Sequence, residues 1–308
     1  MRQGFKKICT GIDISRTAVT AVRIGFSPEG WRLFQCKSIE LPDDVIRFSY
    51  RNQNIIKKDL FIDAVKQALE IEDGREILTG VGLPNEIIKM SIQEFPELPK
   101  ARPEIERMVA WTIERSLHFP AHSTKVSYHP VGWKNGVERM LVTAGISSVI
   151  REYELVLREN HICPEVIRPV GITQFNFYAE KIPDQGVVAY LGLFENYFTF
   201  FVFIEGQLSF YQGIKKGHSS KHYLDDIDMC FEFYANQNPD QEIERLYIGG
   251  CQENREKMQD VFASFGNMDV TVLDEFSLIG KEKAVGMDKR EALAYYAAAI
   301  GAAQSLLK

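Results

Sequence analysis

Two strand-turn-strand runs, far apart in the chain, constrain its fold more than any other feature. The first is Ile8 to Phe26, ICTGIDISRTAVTAVRIGF, and the second is Val187 to Ile214, VVAYLGLFENYFTFFVFIEGQLSFYQGI. In each, β-branched and aromatic residues form a strand that runs into a tight turn and returns. A third segment, LYIGGCQEN from Leu246, ends a strand in Gly249-Gly250 ahead of a helical stretch. Two such hairpins with a glycine turn predict an α/β protein of two lobes built around a phosphate-bearing ligand. The hairpins are not equivalent. Asp13 stands at the turn of the first, whereas Tyr190 and Leu191 stand where a matching acid would sit in the second.

A chain of 308 residues can bury cores for two domains. With 36 Lys and Arg against 42 Asp and Glu, the net charge is −6, and Lys215-Lys216 is only a short basic pair. That balance speaks against nucleic acid as the main partner. Cys9, Cys36, Cys163, Cys230 and Cys251 form no Cys-x-x-Cys pair, so neither a disulfide framework nor a zinc site is expected, and a reducing cytoplasm is the simplest compartment. No apolar run precedes Ile8, so no secretory leader is expected. Val187 to Ile204 is long enough to cross a bilayer, but Glu195 and Asn196 sit at its centre. Two buried strands joined at that polar turn fit its β-branched and aromatic residues better. Membrane association is therefore expected only through partners.

The first block reads β-β-β-α: strands near Lys7–Ile14, Ala18–Phe26 and Trp31–Leu41, then a helix from Asp59, its expected N-cap. A strand from Ile77 to Leu83 ends at Pro84. From Asn85 to Ile146 the pattern is a small α+β module, with a strand from Ile87 to Phe95 and a helix from Arg102 that stops before Phe119-Pro120. Asn135-Gly136 marks a hairpin in that module. Ser147 is the expected N-cap of a helix through Leu157, followed by a strand from Pro164 and a helix from Gly171. The polar segment Lys181 to Gly186 marks the lobe boundary. Beyond it come the second hairpin, a helix from Ser220 to Asn236, the Leu246 strand, a helix from Glu253 to Phe265, a strand from Val270 to Leu273, and an Ala-rich helix from Arg290. The expected division is residues 1–180 for the first lobe with its insert at about 85–146, residues 181–280 for the second lobe, and residues 281–308 for a C-terminal helix returning to the first.

This order resembles the actin-like ATPase superfamily, whose lobes are ribonuclease H-like, and most of all the PilM-type pilus assembly proteins and the related cytoplasmic domain of type II secretion L proteins. Gly11-Ile12-Asp13-Ile14-Ser15-Arg16-Thr17 is similar to the family's first phosphate loop. Val81-Gly82-Leu83-Pro84 looks like the strand leading into its inserted subdomain, and Glu114 to Pro120 like the helix end within that insert. Leu246 to Cys251 resembles the adenosine-side turn, and Ala294 to Ala302 the terminal helix with its Ile300-Gly301 pair. The resemblance implies a cytoplasmic protein, peripheral at the inner membrane through partners. It would bind the N-terminal cytoplasmic tail of a bitopic inner-membrane pilus or secretion protein. It also implies ATP and Mg²⁺ in the cleft, with Asp13 on the metal side, and it leaves oligomer formation open.

The chain departs from that pattern. Ser15 replaces a loop glycine, Thr20 a common lysine, and His218 the second glycine of a Gly-Gly pair, while Ala189-Tyr190-Leu191-Gly192 lacks an acid. Phosphoryl transfer needs metal-held charge and a positioned nucleophile, so losing one of two carboxylates should damage turnover more than binding. Asp13 reads either as a magnesium-side acid or as a turn-capping aspartate. Ser15, Arg16 and Thr17 read either as phosphate contacts or as an ordinary turn. Gly192, Gly217, Gly249, Gly250 and Cys251 are candidate nucleotide contacts, and the alternative is packing or turn glycines. His218 and His222 have ligand spacing on a helix, but no carboxylate-histidine motif accompanies them. The expected function is an adaptor with degenerate ATP binding and little or no hydrolysis. The rivals are an active ATPase or sugar-kinase-like phosphotransferase, with Asp225 or Asp226 as a compensating acid, and a polymerising cell-division anchor.

Overall fold

The computed structural model describes residues 7–27, 30–71, 75–117, 121–134, 136–215, 220–250, 268–274 and 295–307. The first lobe opens with β1 (Lys7–Ile14), β2 (Ala18–Ser27) and β3 (Gly30–Glu40), then α1 (Lys58–Leu69) and β4 (Ile77–Leu83). The insert holds β5 (Lys89–Phe95), α2 (Arg102–Leu117), β6 (Thr124–Lys134) and β7 (Val137–Ile146). The lobe closes with α3 (Ser147–Arg158), β8 (Ile162–Pro169) and α4 (Val170–Tyr178). The second lobe holds β9 (Val187–Leu193), β10 (Tyr197–Ile204), β11 (Gln207–Lys215), α5 (Ser220–Gln237), β12 (Arg245–Gly250) and β13 (Asp269–Val272), and α6 (Ala297–Gln304) lies near the C-terminus.

The two lobes repeat one topology. Their sheets run β3-β2-β1-β4-β8 and β11-β10-β9-β12-β13, each an antiparallel meander continued by parallel strands. Hairpin chemistry builds the antiparallel half, and parallel pairing needs crossover connections. In the first lobe α1 and α3 cover one face, with Phe61, Val65, Tyr153 and Leu157 buried against Ile12, Val81 and Leu83. In the second, Ile227, Cys230 and Tyr234 of α5 pack on Phe198, Phe200 and Leu246. A separate core links the lobes, where α4 and α6 bury Phe177, Tyr178, Ala299 and Ile300 against Cys9, Val188, Tyr190 and Phe201. The insert is a third sheet, β5-β7-β6, with Val109 and Ile113 of α2 on Phe95, Met140 and Val142.

Helix α6 sits where only a small-residue helix fits. A Cβ built on Gly11 of β1 would overlap the Ala299 carbonyl oxygen, and one on Gly80 of β4 would overlap that of Ala302. On the other side, a Cβ on Gly301 would overlap the Thr173 carbonyl oxygen of α4. Three glycines thus let one helix touch two strands and a second helix backbone to backbone.

Several expected boundaries move for local reasons. Asp59 is not the N-cap of α1. Lys57 holds that position without a side-chain cap, its amide donating to the Val45 carbonyl at 3.3 Å, and Asp59 falls in the first turn, where its charge suits the helix dipole. Ser147 is likewise inside α3. Ile146 is extended and still pairs with Thr124, so the strand leads directly into the helix. Strand β5 starts at Lys89 rather than Ile87, because the Ile87 amide donates to the Pro84 carbonyl at 3.1 Å in a turn. The expected Glu253–Phe265 helix, the 281–289 link and the first residues of the C-terminal helix lie outside the described residues. No described helix is long and apolar enough to cross a membrane, and Val187–Ile204 forms β9 and β10 around a turn at Glu195-Asn196.

Candidate functional site

The parallel strands β1 and β4 end side by side, Asp13 opposite Gly82, and the turns after them face the β9–β10 turn across the lobes. A crevice beyond the carboxyl ends of parallel strands is where α/β sheets bind ligands. Here it is a cavity of about 60 Å³ walled by Asp13, Ser15, Arg16, Asn85, Glu86 and Glu195, among others.

Two buried polar atoms in this wall have no hydrogen-bond partner among the described residues, Asp13 Oδ1 and Asn85 Nδ2. One accepts and the other donates, and such orphans are costly unless something completes them. Burial drives the Asp13 carboxyl up to about 7, against a backbone hydrogen bond at Ile14 that pulls it down. Asn85 is held by its other amide atom, since Oδ1 accepts from the Gly171 amide at 3.1 Å. Glu86 is raised chiefly by burial and further by Glu195, while Lys215 and Lys89 oppose the shift.

The hydroxyls of the first loop are used within the protein. Ser15 Oγ donates to the Ala18 carbonyl at 3.0 Å and accepts from the Ala18 amide at 2.9 Å, closing its own turn. Thr17 Oγ1 donates across the cleft to Glu195 Oε2 at 2.9 Å. Arg16 is exposed at the rim. The structure therefore brings Asp13, Ser15 and Arg16 to one cavity and ties Thr17 to the opposite lobe.

Gly192, Gly249 and Gly250 lie together elsewhere, around α4. Built Cβ atoms would meet Gln174 Oε1 at 2.5 Å from Gly192 and the Tyr178 ring at 2.6 Å from Gly249. Gly250 has φ +95, which favours glycine, and its amide donates to the Tyr178 hydroxyl at 3.1 Å. Tyr190, in the place of a second acid, is buried and donates to Gln174 Oε1 at 2.9 Å, and Gln174 Nε2 donates to the Leu193 carbonyl at 3.3 Å. Gly217, Cys251 and His218 lie outside the described residues. Asp225 and Asp226 are on α5, and neither walls the cavity.

Sequence reasoning misses Asn85, Glu86 and Glu195 as site residues. Position could have found the first two, because they follow Pro84 at the carboxyl end of β4. Glu195 shows in the sequence only as a break in an apolar run, and nothing local marks it as facing Thr17.

A second and larger feature opens between the insert and the two lobes. This groove, of about 970 Å³, runs between β6 and β8 and reaches the β10–β11 turn. Strands β6 and β8 each lie at the end of their sheet, so the groove is flanked by two strand edges. Its floor carries three phenyl rings, with Phe175 stacked on Phe203 at 5.0 Å and on Phe201 at 5.4 Å. The insert is held to the second lobe beside it, where Arg139 donates to the Ser209 carbonyl at 2.5 Å and pairs with Glu94 at 3.6 Å.

No family model matches the chain, and no curated protein matches its sequence. Solved structures do match in shape. A chain of a PilM-PilN type IV pilus biogenesis complex superimposes with a TM-score of 0.79 at 14% identity, over 97% of this chain and 98% of that one. A Bacteroides thetaiotaomicron protein of actin-like ATPase fold and unknown function gives 0.54 at 11% identity, over 89% and 95%. The cytoplasmic domain of EpsL, an inner-membrane component of the type II secretion system of Vibrio cholerae, gives 0.50 at 11%, over 79% and 82%. Two lobes of repeated topology, a cleft at their facing turns and overlap with these chains over 79% or more of this one show that the protein has the actin-like ATPase fold.

Proposed function

We propose that this protein is a cytoplasmic adaptor of a type IV pilus or related secretion machine. It seats the N-terminal cytoplasmic tail of a bitopic inner-membrane protein in the groove between β6 and β8. The observation that carries the reading is that β6 and β8, each the end strand of its sheet among the described residues, flank one groove over an aromatic floor. An extended segment can add main-chain hydrogen bonds to such an edge while alternate side chains fill pockets. The shape shared with a chain of a PilM-PilN complex supports the choice of machine. Titration calorimetry with synthetic tails of bitopic pilus or secretion proteins tests it, and no binding to any of them would sink it. Phe203→Ala, which strips one ring from the floor, is expected to weaken tail binding about tenfold without unfolding the chain, as a thermal melt would check.

Nucleotide binding is degenerate in this reading. Asp13 would hold a hydrated Mg²⁺ and Asn85 would donate to a phosphate oxygen, which fits their orphaned atoms. The metal, when bound, supplies the charge neutralisation that phosphates need. Against this stand the small cavity, the acids Glu86 and Glu195 in its wall, and a Thr17 hydroxyl already bonded to Glu195. Glu195→Ala is therefore expected to raise affinity for Mg²⁺-ATP about threefold to tenfold, read by a fluorescent analogue. An unchanged affinity would remove Glu195 as the obstacle.

Glu86 favours one rival. It is a second carboxylate beside Asp13, of the kind an active phosphotransferase would use as a base. Steady ATP turnover lost in both Asp13→Ala and Glu86→Gln would establish that rival.

A further inference from the structure

Among the described residues, two charges that line the groove have no ion pair: Glu165, which is exposed, and Arg168, which is half-buried. Arg168 lies on β8 opposite Gly82 and lines the groove half-buried. Among the described residues it makes no side-chain hydrogen bond and no ion pair. Two other arginines of the fold differ. Arg139 pairs with Glu94 and donates to Ser209, and Arg158 donates to the Pro164 carbonyl at 3.1 Å. Glu154, an acid of the same groove, is committed to Lys125 at 2.6 Å. Burial lowers the Arg168 pKa, with no acid opposing the shift, although an arginine so placed keeps its charge. A half-desolvated guanidinium without a counter-charge is a standing cost that a bidentate carboxylate relieves.

We propose that the segment bound in this groove presents an aspartate or glutamate side chain to Arg168, next to apolar side chains resting on Phe175 and Phe203. The proposal rests on the reading of the groove as a tail-binding site and specifies the tail's chemistry. It also accounts for register. An extended segment on a strand edge reverses all its side chains with a one-residue slip, and one fixed ion pair excludes that slip. Cytoplasmic segments near a membrane span are enriched in Lys and Arg, so a single acid at a set position would distinguish the right tail from others.

A displayed library of random extended peptides, panned against the full chain, tests this whatever the identity of the partner. The wild type is expected to enrich peptides with Asp or Glu at one fixed place among apolar residues. Arg168→Glu is expected to exchange that acid for Lys or Arg. For one selected acidic peptide, Arg168→Gln should weaken binding about tenfold or more, and Arg168→Lys should recover part of the loss. Selected peptides that lose binding in Phe203→Ala but show no acid preference, or that bind Arg168→Gln unchanged, would overturn the proposal and leave the groove reading standing. Peptides indifferent to Phe203→Ala, or no enrichment at all, would overturn both.

Discussion

Replacing Gly301 by valine is expected to cost about 3 kcal/mol or more of stability and to lower the melting temperature by roughly 6–12 °C. By intrinsic propensity alone, a larger residue inside a helix should stabilise it by up to about 1 kcal/mol. Packing decides the sign here. The new Cβ would overlap the Thr173 carbonyl of α4, a backbone atom that no rotamer change can move. Nor can α6 retreat, because Ala299 and Ala302 already press their carbonyls onto Gly11 and Gly80. Gly11→Ala should therefore fail in the same way from the opposite side. Gly136→Ala is the control: its Cβ would meet nothing within 4 Å, and only its φ of +79 opposes alanine, at about 1 kcal/mol. Chemical denaturation of the three variants settles the matter. A Gly301→Val loss no larger than that of Gly136→Ala would show that α6 is not wedged between α4 and the first-lobe sheet.

Asp13→Asn should change how stability depends on pH. The folded carboxyl titrates at about 7, raised from 3.8 by burial. A raised carboxylate pKa means that the folded state holds a proton the unfolded state has already released. Wild-type stability therefore falls as pH rises from about 4 to about 7, and the whole penalty is present above that. At about 1.4 kcal/mol per pKa unit the ceiling is about 4 kcal/mol, and partial solvent access at the cavity brings it nearer 2. Asparagine cannot ionise, so the variant should match the wild type near pH 4 and exceed it by about 2 kcal/mol at pH 8. Mg²⁺ with ATP at pH 8 should stabilise the wild type and not the variant, since a bound cation reverses the preference for the neutral acid. Parallel stability profiles for the two proteins would refute the burial of an unpaired Asp13 carboxylate.

Much of the fold was legible because its signals are local. Alternating β-branched and aromatic residues marked β1, β2, β9 and β10, and the Asn135-Gly136 pair marked the hairpin of β6 and β7. Helix starts were less legible. Asp59 and Ser147 have the right chemistry to cap α1 and α3, but a contact with Val45 sets the first start, and pairing with Thr124 sets the second. The site divided in the same way. The turn carrying Asp13 can be read directly, as can the acid missing at Tyr190. That Gly192, Gly249 and Gly250 receive Gln174 and Tyr178 cannot be read at all, because their neighbours come from a helix many residues away.

Local signals are enough for two hairpin-led α/β lobes, an insert within the first of them, and an asymmetric pair of loops with one aspartate. Those properties follow from residue periodicity and turn chemistry, which act over a few neighbours. Packing alone sets Thr17 against Glu195 across the cleft, leaves Asp13 and Asn85 with orphaned atoms among the described residues, and half-buries Arg168 in the groove with no ion pair among those residues. Each of these depends on which distant groups share a desolvated space, and desolvation is a property of the packed molecule rather than of any segment.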